Sequence, residues 1–341
     1  MVSGSATAVL LAGLVVALAV AIVVGIAVGT VDLPVTGVWD VIWAHATGST
    51  SNLNPLNDEI IWTIRTPRVL LAAVVGAGLS IAGTSLQALV RNPLADPYIL
   101  GVAAGASVGA ALVLAYGSGA TFGLGVSGAA FAGALISLVL VFLLAQRSGG
   151  LGGTRLVLAG VALGYLCTAV TSYVQLQATQ SEVVGIMFWL MGSVAGATWG
   201  SLGIPAAAIV VCSIWLLLQA RNLNALMSGD DAAAGLGVDV HRLRIGLLFV
   251  SSLLTATVVA VAGGVGFVGL MIPHMARFLV GGDHRRVLPV SALMGALFLV
   301  VVDIGARTVD KPNDLPLGIF TAAVGVPFFL WLLRRRPGGA A

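Results

Sequence analysis

The sequence predicts an all-α integral membrane protein, a single transmembrane domain over residues 1–341 with about ten membrane-crossing helices. Three observations predict it. Hydrophobic residues make up 59% of the 341 and charged residues only 9%, which excludes ordinary soluble and disordered chains. The 45 glycines are scattered through apolar runs instead of gathering in linkers. Long runs without charge alternate with short polar segments that carry arginine, and about 20 apolar residues are what a helix needs to cross a bilayer.

The first run, 6–29, has no basic residue ahead of it and exceeds the roughly 7–15 residues of a signal-peptide core, so it is expected to remain as a helix. Residues 31–59 read only as an outer loop. The second span, 68–90, is opened by Arg65-Thr-Pro-Arg68 and is free of charge from Val69 to Val90. It ends at Arg91-Asn-Pro-Leu-Ala-Asp-Pro-Tyr-Ile-Leu-Gly101. A charge pair, two prolines and an asparagine place that segment outside the hydrocarbon, as the stiff tip of a hairpin.

The next spans are expected at 99–116, 121–145, 155–176 and 199–219. Ladders of small residues, Gly101/Gly105/Gly109, Gly160/Gly164 and Gly192/Gly196/Gly200, are expected to let these helices approach closely. From Ile245 to Ala276 the chain has no Asp, Glu, Lys or Arg. Gly263-Gly264 supplies a turn that splits this stretch into spans 245–263 and 265–281. Spans 287–306 and 316–333 complete the set.

Basic residues set the orientation. With the N-terminus inside and ten crossings, Arg91, Arg147, Arg155, Arg221, Arg242, Arg244, Arg277, Arg285, Arg286, Arg334, Arg335 and Arg336 fall on the cytoplasmic side. Only Arg65, Arg68, Arg307 and Lys311 fall outside, as the positive-inside bias requires. Both termini are then cytoplasmic.

The chain lacks the groups for several chemistries. Lys311 is its only lysine and precedes Pro312, so no Gly-x-x-x-x-Gly-Lys-Ser/Thr phosphate loop exists and neither ATP binding nor enzymatic activity is expected. No catalytic residue is identified. The spans hold only Asp303, near an outer end, and His274, near an inner end: too few ligands for a bare metal ion and too few acids for ion coupling. His274, after Pro273, reads first as a kink or packing residue, and Asp303 as the partner of Arg307 one turn later. Cys167 and Cys212 lie inside apolar runs and read as packing residues. No basic stripe interleaved with aromatics marks a nucleic-acid surface.

Two features look outward to partners. The cytoplasmic loop from Arg221 to His241 is longer than its neighbours, and in it Ser228 is expected to cap a short helix with Asp230 and Asp231 in its first turn, ended by Gly235 or Gly237. Lying on the membrane surface, such a helix is a docking element; the plainer reading is an ordinary loop helix. Arg65 and Arg68 lie where arginine is scarce. They either snorkel to headgroups or, with Arg307, form a basic outer rim suited to the carboxylates of a soluble partner.

Six motifs in order resemble the iron-siderophore, haem and cobalamin permease family of ABC importers, the FecCD type, over about residues 60–335. They are Arg65-Thr-Pro-Arg68, Arg91-Asn-Pro-Leu-Ala-Asp-Pro through Gly101, Leu158-Ala-Gly-Val-Ala-Leu163, Gly266-Phe-Val-Gly-Leu-Met-Ile-Pro-His274, Asp283-His-Arg-Arg286 with Leu288-Pro289, and Asp314-Leu-Pro-Leu-Gly318 with Gly325-Val-Pro-Phe328. The resemblance implies the type II importer fold in a bacterial plasma membrane: two copies of this chain, two ATP-binding cassette subunits holding ATP and Mg, and a soluble or lipid-anchored substrate-binding protein. It places Arg65, Arg68 and Arg307 at the binding protein. Ser228, Gly229, Asp230, Asp231, Gly235, Leu236 and Gly237 fall at the ATPase, and Asn92, Leu94 and Thr154 at constrictions of the pathway. Gly152-Gly153 stand before Thr154 where bulkier polar residues are expected.

The cargo this implies is an iron chelate, a ferric siderophore on the family's base rate, with haem and cobalamin as alternatives. Two rivals of other classes stand beside it. A self-contained secondary carrier should show coupling ions and inverted repeats, and a non-transporting scaffold has no use for a coupling helix.

Overall fold

The computed structural model describes residues 4–29, 33–51, 53–146 and 153–335, so Arg147, Gly152 and Arg336 lie outside the described residues. Among the described residues every regular element is helical. In chain order they are α1 (Gly4–Ala27), α2 (Val35–Thr47), α3 (Pro55–Glu59), α4 (Thr66–Leu89), α5 (Val102–Tyr116), α6 (Val126–Ala145), α7 (Gly153–Gln177), α8 (Gln180–Met191), α9 (Trp199–Leu218), α10 (Ala220–Met227), α11 (Asp230–Gly235), α12 (Val240–Ala262), α13 (Val268–Val280), α14 (His284–Thr308) and α15 (Leu317–Arg335). A π-helical turn, Ile60–Arg65, fuses α3 to α4.

Seven of these stretches are long and apolar enough to cross a bilayer: α1, Pro55–Leu89, Ser118–Ala145, α7, α9, α12 and α14. Shorter apolar helices, α5, α13 and α15, stand at the other three expected positions. Two of them are short for identifiable reasons. A 3-10 turn, Pro97–Leu100, precedes α5 and ends at Gly101 with φ 72, and α13 begins only after the non-helical stretch that follows the Gly263 cap of α12.

Two expectations fail here. Gly192, Gly196 and Gly200 do not form a packing ladder. Gly192 ends α8 with φ 76 and Thr198 opens α9 with a capping box to Ser201, so a helix break falls inside the repeat and a methyl on Gly196 would meet nothing. Nor does Ser228 cap the coupling segment. It closes α10, and Gly229, at φ 111, opens α11 without a side-chain cap. The sequence also gave no sign of α2 and α8, which lie in stretches read as loops.

α4 and α12 form the buried centre, with α14, α13 and α1 packed on one side and α5, α6 and α7 on the other. Small residues permit the crossings. A methyl on Gly83 would collide with the carbonyl of Gly269, one on Gly76 with that of Gly295, and one on Gly109 with that of Ala129. Without a hydrophobic drive between helices in lipid, backbone approach of this kind is what holds a bundle together. The outward faces of α1 (Val9, Val16, Val20), α6 (Ile136, Leu143, Leu144) and α9 (Ile204, Val211, Leu218) are large and apolar, suited to lipid. Trp39 and Trp43 lie exposed on α2, and Trp199 donates to the Trp62 carbonyl at 2.9 Å, aromatic groups suited to a membrane interface.

Candidate functional site

Around the start of α4 three arginines converge, but not as an extended rim. Asp303 in α14 is fully buried and accepts from Arg68 Nε at 2.9 Å, with Arg307 Nη2 at 3.0 Å one turn along its own helix. Arg68 also reaches Asp314 at 2.7 Å. Arg65 donates to the carbonyls of Ile26 and Ala27, at 2.9 and 2.8 Å, and Arg307 to that of Gly25 at 2.9 Å. These are the last carbonyls of α1, which lack helical partners and attract cations. Arg65, Arg68 and Arg307 are only 5%, 8% and 5% exposed. Their inward hydrogen bonds displace the solvent-facing rim that the sequence led us to expect. They still border a cavity of about 270 Å³, lined also by Ile60, Pro312 and Asp314, with Asp303 buried behind its wall.

At the opposite end of α4, segment 91–101 is anchored at several points. Asn92 Oδ1 accepts from the Leu94 amide at 2.9 Å, an Asx turn that shapes the tip. Buried Gln87 lies 3.3 Å from the carbonyls of Ala95, Gly269 and Leu270 and accepts from Arg277 at 2.6 Å. Asp96 caps the 3-10 turn by accepting from the Tyr98 amide at 2.8 Å. The Tyr98 hydroxyl accepts from the Val265 amide at 2.8 Å and donates to the Val265 carbonyl at 3.0 Å. Leu94 is left 40% exposed. Gly153 lies against Val90, so Thr154, exposed on the first turn of α7, stands beside the same loop.

The helix pair α10–α11 sits next to it. Asp230, in the first turn of α11, receives Arg244 Nη2 at 2.9 and 3.0 Å and lies 3.5 Å from Arg91. Ala233 is buried while Leu236, just past the helix end, is 73% exposed. Asp231, Gly235 and Gly237 are exposed around it. Asn224 of α10 ties this unit to α14: its side chain donates to Asp283 at 2.7 Å and accepts from the His284 amide at 2.9 Å. Burial works to raise the Asp283 carboxyl, but the Asn224 hydrogen bond, the Arg285 amide and the charges of Arg285 and Arg286 bring it below the ordinary carboxylate range.

A polar surface that the sequence reasoning missed runs along α7. Tyr165, Thr168, Ser172, Tyr173 and Gln177 lie on its exposed side, with Tyr165 76% and Tyr173 62% exposed. Leu158, Leu166 and Leu176 are exposed among them, so the surface is mixed, but hydroxyls and an amide facing hydrocarbon are unfavourable and it is more polar than the outward faces of α1, α6 and α9. α7 is also the least hydropathic of the seven long helices, a signal present in the sequence. Among the described residues no group of three or more His, Cys, Asp or Glu is placed to hold a metal ion.

The described residues thus form a helical membrane domain with polar groups exposed on α7 and a short helix pair, α10–α11, beside an anchored loop. The chain belongs to the FecCD transport family, whose model matches residues 17–335. It is a transmembrane permease subunit of an ABC importer, and ATP hydrolysis resides in a separate chain. Relatives include the cobalamin import system permease BtuC of Halobacterium salinarum, 47% identical over 81% of this chain and 74% of that protein. The Fe(3+) dicitrate permease FecC of Escherichia coli is 38% identical over 96% and 98%, and the hemin permease HmuU of Yersinia pestis 41% identical over 81% and 84%. A solved metal-chelate type ABC transporter in an inward-facing conformation superposes with a TM-score of 0.82 at 33% identity, covering 96% of this chain and 99% of that one.

Proposed function

We propose that two copies of this chain, each crossing the membrane ten times with both termini in the cytoplasm, form the pathway of an importer for iron chelates, ferric siderophores foremost. The observation that carries it is the polar exposed side of α7. A second copy facing it would enclose a path lined by phenols, hydroxyls and amides, which can pass a fully coordinated chelate without competing for its metal. The outer arginine cavity would receive carboxylates of the binding protein. Residues Ser228 to Gly237, with Leu236 projecting, would seat on the ATPase, and Asn92, Leu94 and Thr154 would close the inner end. ATP and Mg would bind to the ATPase pair, and this chain would hold no cofactor.

Iron hydroxamate and ferric dicitrate permeases align with 98% and 96% of this chain, which supports a siderophore. Cobalamin is the second reading, supported by the 47% identity to a cobalamin permease. The cognate binding protein separates them. It should bind ferrichrome or ferric citrate more tightly than haem or cyanocobalamin and deliver that ligand for ATP-driven uptake; tighter binding and delivery of cyanocobalamin would reverse the choice.

A further inference from the structure

Arg91 is neither in the constriction nor on the surface offered to the ATPase, yet it touches both neighbourhoods. It directly precedes Asn92, and its backbone sits at φ 50, a left-handed conformation that a side-chain-bearing residue adopts only where its surroundings hold it there. Its amide is bonded to the Ala88 carbonyl at 3.3 Å and that of Asn92 to Gln87 at 3.1 Å, which turns the guanidinium toward α11. There it meets Asp230 at 3.5 Å.

Asp230 is held unequally on its two sides. Arg244, whose side chain is only 8% exposed, grips both carboxylate oxygens and fixes α11 to α12. The contact to Arg91 is longer, and both partners are about two-fifths exposed. A pair of that kind contributes little to stability. It can break and re-form at low cost, which suits a contact that reports movement. Gly229, which precedes α11, has φ 111, and a Cβ there would meet Arg91 Nη1 at 3.8 Å, an ordinary contact distance that places the guanidinium beside the start of α11.

We propose that Arg91 and Asp230 form an ionic strut that transmits displacement of α11 to the Asn92–Leu94 loop, making Arg91 a positioning residue for transport. The strut rests on the reading of α11 as the ATPase contact and of Asn92 and Leu94 as the inner gate. When α11 shifts, Asp230 draws on Arg91, and the Asx turn at Asn92 carries the shift to Leu94.

The test needs no knowledge of the cargo. Leu94→Cys is introduced with Cys167→Ala and Cys212→Ala, and the full complex with its ATPase is placed in inside-out vesicles. The rate of labelling by an impermeant maleimide is measured with and without Mg-ATP and vanadate. With Arg91 present, ATP should change the rate severalfold. Arg91→Gln should abolish that change while the ATPase subunit stays bound, Arg91→Lys should restore it, and Asp230→Asn should behave as Arg91→Gln does. An undiminished ATP response in Arg91→Gln would overturn the strut alone. No ATP response even with Arg91 in place would overturn the gate reading and the strut together.

Discussion

Asp303 shows what a single residue does here. It is fully buried between Arg68 and Arg307, and removing one partner from such a group leaves uncompensated charge in a medium that cannot solvate it. Asp303→Ala should therefore cost about 3–5 kcal/mol, read as a clear fall in the melting temperature of the detergent-solubilised protein; an unchanged melting point would show that the cluster is solvated. For the same reason charge reversal at Arg65 and Arg68 would damage the fold as well as any docking. Arg65→Gln is the milder probe: affinity for the binding protein should fall severalfold at an unchanged dimer, and an unaltered affinity would remove Arg65 from the docking reading. The Asp303–Arg307 pair was legible from a spacing of four. The Asp303–Arg68 pair was not, because it joins residues 235 apart and no local pattern encodes it.

Between elements, small residues and caps decide the geometry. Gly109 faces the Ala129 carbonyl, so Gly109→Val must push α5 from α6 and should destabilise by about 1–3 kcal/mol, measured by thermal unfolding against Gly164→Val, where no neighbour lies within 4 Å. The junction of α10 with α14 supplies a pH signature. Since the Asp283 carboxyl is held below its ordinary range, its ionised form stabilises the fold above the ordinary carboxylate pKa, and that contribution is lost as pH falls through the lowered value. Wild type should melt higher than Asp283→Asn at neutral pH, with the gap closing below about pH 4; a gap independent of pH would contradict this.

Helices stand where the ten apolar runs were read, seven of them long enough to cross a bilayer and three shorter, and the break after α12 falls at Gly263, where the glycine pair and the basic flanks placed it. α8 was not, since its twelve residues fall short of a span and its Thr179–Glu182 capping box looks like any polar turn. Ser228 misled because Ser before Asp-Asp resembles a helix start, whereas Gly229 at positive φ separates it from α11.

For the whole molecule, the arginine-lined cavity lies where α4 begins, the anchored loop 91–101 and the α10–α11 pair lie where α4 ends, and polar groups are exposed along α7. Buried α4 and α12 give this arrangement a rigid centre, and the exposed helices carry the surfaces open to lipid or to partners. The six motifs named the family that the comparison shows, while the polar groups of α7 went unread although its low hydropathy was a signal for them. The central claim is that this chain moves cargo only when a separate ATPase drives it. Its most direct measurement is uptake of iron-loaded chelate, delivered by the binding protein, into vesicles holding this chain with or without the ATPase, with ATP supplied on the ATPase side. The account predicts uptake only with both ATPase and ATP. Equal uptake by the chain alone would contradict it and identify a self-contained carrier.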